Sequence, residues 1–426
     1  MSGWFFSRSE TMLRRFWNSN DGNYALIFAI ALVPIMAAVA GTVDYVSTAN
    51  GASKVQESLD ATALAIGAKY SSGMSPSEVQ QIGSDFFAAN IRKSGIGYND
   101  DDGTGTTAND KVVDFNATAT PDGNDISIVT SGKLMHAGFI VGTSSIWQAK
   151  RKAYVKFKPG QPACLLALDP HASTAVKVWG STQVKLNGCV ISANSDASDA
   201  VSRGGSAQLK AKCVSTVGAT SGLSTSTTLD CGNPLEKQYP SLDPLYGVLP
   251  PTNFTSCSSL PNGKNKNLTP GKWCNKTWSG TITLAPGSYV LNGGSIQLGG
   301  NGSLTGSGVT IFLTNGANLS LNANETINLS PPTSGTYAGI TIYQEKANTN
   351  ELKINGGLSS KLTGFIYAPG APVFYAGNSA MTGSGDCVRV VGNTVEMTGN
   401  SNVSANCAGQ LGNRDMYAGR TILLVK

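Results

Sequence analysis

Residues Asn23–Val43 (NYALIFAIALVPIMAAVAGTV) are predominantly apolar and carry no charged side chain. As a helix the run spans roughly 31 Å, about the thickness of a bilayer core. A secretory signal has a shorter apolar region, about 7–15 residues, and ends at a cleavage motif. The rest of the chain is too polar and Gly-rich to wrap a wholly buried helix of this length. The pattern therefore predicts an uncleaved membrane-spanning helix, with Pro34 as a tolerated kink. Asp44 and Tyr45 mark a water boundary. Beyond it Ala52, Gln56, Leu59, Ala63, Ile66 and Tyr70 recur at spacings of four and three, continuing the helix with one mostly small, apolar face.

Ser71–Met74 interrupts that rhythm, and Ser75-Pro76 with Glu78 restarts a helix through Val79, Ile82, Phe86, Phe87 and Ile91 to about Lys93. A polar loop, Gly95–Asp110, follows. Its run Asp100-Asp101-Asp102-Gly103 fails as an EF-type calcium loop, because Asn109 stands where the twelfth-position Glu is needed. Lys111–Thr118 and Asp125–Thr130 read as strands around the hairpin signal Pro121-Asp122-Gly123. Leu134–Trp147 reads as a helix and Arg151–Phe157 as a third strand.

From Pro159 the composition turns to Gly, Ser, Asn and Thr with short apolar bursts. These are Val176–Trp179, Val184–Leu186, Val190-Ile191, Ile282–Leu284, Val309–Leu313, Ile340–Tyr343, Phe365–Tyr367 and Val388–Val391. Asn-Gly pairs at 292, 301, 315 and 355 suit sharp corners, since both residues take left-handed backbone angles at low cost. Short strands, tight corners and a recurrence near one coil's length predict a parallel β-helix or solenoid, with a sandwich of short strands as the alternative. Cys231–Pro270 breaks the rhythm as a loop excursion.

Charge sets the orientation. Arg8, Arg14 and Arg15 precede the span and Lys54 alone follows closely, which predicts a cytoplasmic N-terminus and a periplasmic remainder. Phe16, Trp17 and Tyr45 sit where interfacial aromatics belong. The net charge is +5, with 13% charged residues. No Lys/Arg cluster interleaved with aromatics is read, so nucleic-acid binding has no support. All eight cysteines follow the span, as disulfides in an oxidising compartment would. Neighbouring coils stack about 4.8 Å apart, which predicts pairing between sequence neighbours: Cys164–Cys189, Cys213–Cys231, Cys257–Cys274 and Cys387–Cys407. The spacing would set Cys164, Cys189 and Cys213 in one column.

Catalytic chemistry finds little purchase. His136 and His171 are the two histidines and lack an evident acid partner. Residues 275–426 offer only Glu325, Glu345, Glu351, Asp386, Glu396 and Asp415 as carboxylates, too sparse to read as a polysaccharide-cleaving pair. No nucleophile elbow, phosphate loop or Cys/His zinc spacing is present. No catalytic, cofactor-binding or metal residue and no cofactor is assigned.

The run Gly22-Asn23, Ala25, Ile27-Phe28-Ala29, Ala31-Leu32, Pro34, Gly41, Val43-Asp44-Tyr45, Gln56 and Leu59–Ala65 resembles the N-terminal segment of the TadG-like family of the bacterial tight-adherence (Flp) pilus assembly system. Leu284–Tyr289, Gly308–Thr314, Pro331–Ile340 and Gly364–Pro369 resemble the C-terminal region that accompanies many short relatives. The resemblance implies a bacterial envelope protein held by one N-terminal helix. With the charge bias this predicts an inner-membrane protein whose partners are pilin or other pilus-assembly and envelope proteins, and the lack of a readable catalytic site predicts that it is non-enzymatic. Some relatives carry a von Willebrand A-type metal motif. Asp169-Pro170-His171-Ala172-Ser173 departs from it at the first serine, where His171 stands, and Pro170 sits badly in a metal loop, so that site is not carried over. Gly22-Asn23 is similar to a prepilin cleavage junction, but Ile27 replaces the usual Glu, and no cleavage is expected. The predicted organisation is a cytoplasmic lead (1–22), a transmembrane helix (23–43), a helical stalk with a small α+β pilin-like module (44–158) and an all-β solenoid (159–426). The small-residue helix face is left with two candidate partners, the following module or another pilin-like helix. An alternative function is a surface adhesin or carbohydrate-binding protein whose Tyr343, Tyr367, Phe374 and Tyr375 stack on polysaccharide.

Overall fold

The computed structural model describes residues 23–70, 74–98, 110–122, 125–137, 146–181, 183–223, 226–322, 324–356, 360–377, 387–404, 411 and 414–425. Outside these lie the Arg8–Arg15 flank, the Asp100–Asp102 loop, Asp386 and Cys407. Helix α1 (Asn23–Lys69) is unbroken and contains Pro34. Most of its first half is exposed, with Leu26, Phe28, Ile30 and Val33 at 63% to 69%, until Asp44, which is buried. Its second half buries Ala52, Val55, Leu59, Ala63, Ile66 and Tyr70. The small-residue face thus packs on its own chain, which decides between the two partners the sequence left open. Helix α2 (Pro76–Lys93) begins with a full capping box. The Ser75 hydroxyl accepts from the Glu78 N–H (3.2 Å), and the Glu78 carboxylate accepts from the Ser75 N–H (2.7 Å).

Both helices cover one face of an antiparallel sheet formed by β1 (Asp110–Asp122), β2 (Asp125–Ala137) and the first part of β3 (Ile146–Ala167). The helix expected over Leu134–Trp147 is absent among the described residues: Leu134–Ala137 continues β2 and β3 starts at Ile146. The alternation of buried Leu134 and His136 with Met135 is the strand period of two. Between helices and sheet, Phe87 stacks on Phe115 with ring centroids 4.7 Å apart. The approach is close enough that a Cβ on Gly83 would lie 2.8 Å from the Ala117 Cβ.

At its far end β3 leaves this sheet and enters a parallel one. The other strands there are β4 (Val190–Ala193), β5 (Cys213–Thr216), β6 (Gly271–Trp278), β7 (Gly287–Ile296), β8 (Val309–Thr314), β9 (Ile340–Gln344), β10 (Gly364–Ala368) and β11 (Val388–Gly392). Their spatial order is β5-β4-β3-β11-β10-β9-β8-β7-β6. The last element, β12 (Tyr417–Val425), returns to pair antiparallel with β3. Two further sheets, all of parallel pairs, complete the C-terminal region, and the three enclose one apolar interior. β8 to β11 each bury every residue described, the signature of strands covered on both faces. Of the Asn-Gly corners, Asn315-Gly316 takes two left-handed conformations, whereas Asn292-Gly293 lies inside β7.

The order departs from a simple progression along the chain. The chain enters the parallel sheet at β3, in the middle, and reaches one edge at β5. It crosses to the opposite edge at β6, then returns strand by strand until β11 docks on β3. The crossing lies within the excursion read over Cys231–Pro270 and is a strap over residues 231–264, because Asn265–Leu268 is already a strand of another sheet. It spans eight strand spacings, roughly 38 Å. Disulfides hold both ends: Cys213–Cys231 beside β5 and Cys257–Cys274 on β6. Backbone bridges Ser215–Leu235 and Cys257–Lys272 place strap residues against both edge strands, the usual sites of unwanted pairing. Cys164–Cys189 joins β3 to the start of β4, and Cys387 is also disulfide-bonded. Cys213 does not share a column with Cys164 and Cys189: those two face the enclosed interior, while Cys213 packs on the opposite face with Leu166 and Val190.

Candidate functional site

Two places in the fold gather side chains with chemical potential, and the first lies under the strap. Phe312 of β8, Tyr343 of β9 and Tyr367 of β10 form a ladder on the outer face of the parallel sheet, with Tyr343 and Tyr367 stacked at 5.0 Å. The strap covers them. The hydroxyls of Tyr337, Tyr343 and Tyr367 donate to Leu249 O (3.1 Å), Val248 O (2.5 Å) and Asp243 Oδ2 (2.8 Å). Ser241 is bound through its backbone to the Asn194 side chain, by N–H to Oδ1 (2.8 Å) and by C=O from Nδ2 (2.9 Å). A cleft of about 460 Å³ remains beside these contacts, lined in part by Pro170, Tyr246, Lys346 and Asn393. Burial pushes the Asp243 carboxyl above its ordinary range, against the opposing hydrogen bonds from Tyr367 and Leu245. Burial together with the Asp243 charge pushes Tyr343 up to about 12 and Tyr367 higher still. These tyrosines are hydrogen-bond donors to the strap, not acids for a reaction at neutral pH.

The aromatic platform expected for a glycan is therefore not presented. Tyr343 and Tyr367 are buried under the strap, and Tyr375 is 1% exposed in the interior. Phe374 is half-buried beside Lys353. The scattered carboxylates are likewise engaged separately. Glu325 accepts N–H bonds from Gly299 (2.7 Å) and Asn322 (2.9 Å), and Glu345 accepts one from Asn315. Asp415 pairs with the buried Arg389 (3.0 Å), and Glu396 pairs with Lys177 (3.3 Å). Glu351 and Glu396 line one groove of about 200 Å³.

Both histidines do have acid partners, contrary to the sequence reading: His136 meets Asp110, and His171 Nδ1 lies 3.1 Å from Asp196. The partners are 26 and 25 residues away: strand pairing sets Asp110 opposite His136, and His171 and Asp196 meet in the segments that follow the paired strands β3 and β4. Asp169 organises its own turn, accepting from the N–H groups of His171 (2.9 Å) and Ala172 (2.8 Å) and from Asn393 Nδ2 (2.9 Å). Burial raises its pKa, but these bonds outweigh burial and hold the carboxyl below its ordinary value. Among the described residues no three His, Cys, Asp or Glu side chains group as metal ligands.

The second place is the outer face of the antiparallel sheet, opposite the helices. The segment Lys150-Arg151-Lys152-Ala153-Tyr154-Val155-Lys156-Phe157-Lys158 does interleave basic and aromatic residues, which corrects the reading above. Strand alternation sorts it: Ala153, Val155 and Phe157 face the helices, while Lys150, Lys152, Tyr154, Lys156 and Lys158 face outward and are exposed. Register places Val129 of β2 and Val425 of β12 on either side of Tyr154, and Lys133 opposite Lys150. The alternation was the available signal, hidden because the expected third strand began only at Arg151.

No curated protein and no solved structure matches the chain. One stretch has a family match, and it is the helix that is bare in its first half and packed in its second: residues 22–69 match the family model described as "Putative Flp pilus-assembly TadE/G-like".

Proposed function

We propose that this chain is a non-enzymatic, membrane-anchored component of tight-adherence pilus assembly, held in the bacterial inner membrane by α1 with its N-terminus cytoplasmic and its bulk periplasmic. The observation that carries the reading is the coincidence of the family match at residues 22–69 with a helix whose first half is apolar and bare and whose second half anchors a folded sheet. The three disulfides and the bonded Cys387, all beyond the apolar run, support an oxidising compartment. In this reading residues 1–22 are the cytoplasmic lead, 23–43 the span and 44–158 the pilin-like module. The parallel sheets of 159–426 wind as a solenoid, with β12 returning to the module. The carbohydrate-binding alternative loses its support where Tyr343, Tyr367 and Tyr375 are buried.

Deletion of the gene should abolish surface pili while pilin is still made, and full-length protein should restore them where a chain lacking residues 1–43 does not. Normal pili in the deletion strain would overturn the proposal. A membrane-impermeant thiol reagent applied to the periplasmic side should label Asp101→Cys and spare Ser9→Cys; the reverse would overturn the orientation.

A further inference from the structure

The outer face of the antiparallel sheet has the anatomy of a protein interface. Its centre is apolar: Val129, Tyr154 and Val425 sit side by side across three strands, with Leu423 next along β12, and the last three are 40% to 45% exposed. Its rim is basic: Lys133, Lys150, Lys152, Lys156 and Lys158. Among the described residues none of these five ammonium groups pairs with a carboxylate; the acidic residues nearest in strand position are Asp114, at the β1 bulge beside Lys133, and Asp125, two residues before Ser127 at the Lys156 end. Lys133 stands directly opposite Lys150 in register, a like-charge pair that costs stability in the isolated sheet. The patch covers on the order of 500 Å², below the roughly 800 Å² a side of standard interfaces and in the class of transient contacts.

Position separates the candidate partners. Gln56 of α1 donates to Lys152 O (3.0 Å), and a Cβ on Gly67 would touch Phe157 and Ile422, so the lysine row runs alongside α1 away from its bare half. Gly51 is already roughly 12 Å beyond Val43 along the helix, more than a Debye length of about 8 Å. Lipid headgroups at that boundary would meet only the Lys133–Lys150 end and leave Lys156 and Lys158 unused. A polyanionic polysaccharide would engage the lysines but not the apolar row.

We propose that this face docks an acidic protein surface that presents an apolar side chain to the Val129–Tyr154–Val425 row. The proposal deepens the pilus-assembly reading and rests on it only for the compartment in which the partner is met. The test uses the full-length chain in its own membrane with p-benzoylphenylalanine in place of Tyr154. Irradiation should give a cross-link to a protein whose cross-linked region is acidic around an apolar residue. Lys152→Glu with Lys156→Glu should cut the yield about tenfold, and exchanging the partner's facing carboxylates for lysine should restore it. Because both lysines are exposed, the variant should keep the native disulfide map and melting temperature; Lys152→Gln with Lys156→Gln, a milder pair, should give an intermediate loss. Cross-linking only to a second copy of this chain, or a yield unchanged by charge reversal, would overturn the proposal. So would the absence of a cross-link, including where the lysines instead mediate binding to phosphatidylglycerol vesicles or alginate. A captured acidic protein with no part in the pilus would leave the surface standing and count against the pilus reading alone.

Discussion

Replacing Cys257 and Cys274 together by serine removes the covalent tie at the β6 end of the strap and leaves its other contacts in place. The bridge closes a loop with a sequence separation of 17. By the chain-entropy relation its removal costs about 3 kcal/mol. How that loss is distributed follows from the other anchors. Toward β5 the strap is held by Cys213–Cys231, by the Ser241–Asn194 pair and by the three tyrosine hydroxyls, each bond worth about 1 kcal/mol net. Between Leu249 and Cys257 no hydrogen-bonded anchor appears among the described residues, and half-buried Phe254 supplies packing alone, so the loss should concentrate at the β6 end. The amide of Ser258 donates to Lys272 O (2.6 Å) and reports on that end; the amide of Val248 donates to Leu245 O (3.0 Å) and reports on the middle. Native-state hydrogen exchange should accelerate on the order of a hundredfold at Ser258 and less than about threefold at Val248, since 1.36 kcal/mol corresponds to a factor of ten. Equal acceleration at both amides would refute independent pinning and make the strap one cooperative unit. No acceleration at Ser258 would show that the bridge does not hold that end.

Asp415→Ala leaves Arg389, which is 0% exposed, without its carboxylate, and should lower unfolding free energy by about 3–5 kcal/mol in urea titration; a loss below about 1 kcal/mol would remove the pair as a structural element. Asp243 has a raised folded pKa, so its stabilising increment is complete below the ordinary carboxylate pKa and is lost as pH rises through the raised value. Asp243→Asn does not titrate and should therefore gain on wild type between pH 4 and pH 7.5; parallel stability profiles would refute this. Gly83→Ala should destabilise by about 1 kcal/mol although alanine favours helix, because the new methyl meets Ala117, Ile66 and Phe115 at 2.8 to 3.2 Å; a rise in melting temperature would show that α2 can shift away.

What the sequence disclosed was local. The charge-free run from Asn23, the Ser75–Glu78 capping box and the bursts at Val309, Ile340, Phe365 and Val388 each carry their signal within a few residues, and each lies where it was read. The disulfide pairs Cys164–Cys189, Cys213–Cys231 and Cys257–Cys274 were legible for the same reason, since each joins cysteines 17 to 25 residues apart. What it concealed was long-range. Nothing near Leu165 announces that Val390 is its neighbour, or that Pro162 faces Tyr417. The interface face was hidden in a milder way, because its residues come from β2, β3 and β12 and only β3 has a readable alternation.

The seam between β11 and β3 explains why a buried charge is kept in an apolar sheet. The seam is short: Val390, Val391 and Gly392 pair with Leu165, Leu166 and Ala167. It is also the last parallel pairing made within this sheet, because β6 to β11 stack back toward β3 from the far edge. In a strand buried on both faces a one-residue slip exchanges apolar for apolar, so hydrophobic patterning scarcely penalises it. Arg389 supplies the missing discrimination. Its Nε and Nη2 reach Asp415 Oδ1 at 3.1 and 3.0 Å, and its Nη1 lies 3.4 Å from Cys164 Sγ. A slipped β11 would carry a guanidinium into the interior without its carboxylate, a cost of several kcal/mol against near-neutral packing elsewhere. Asp415 stands just before β12, the strand that returns to β3 beside α1. One ion pair thereby ties the register of β11 to the strand shared by both parts of the fold, and it contributes specificity where the apolar contacts contribute stability.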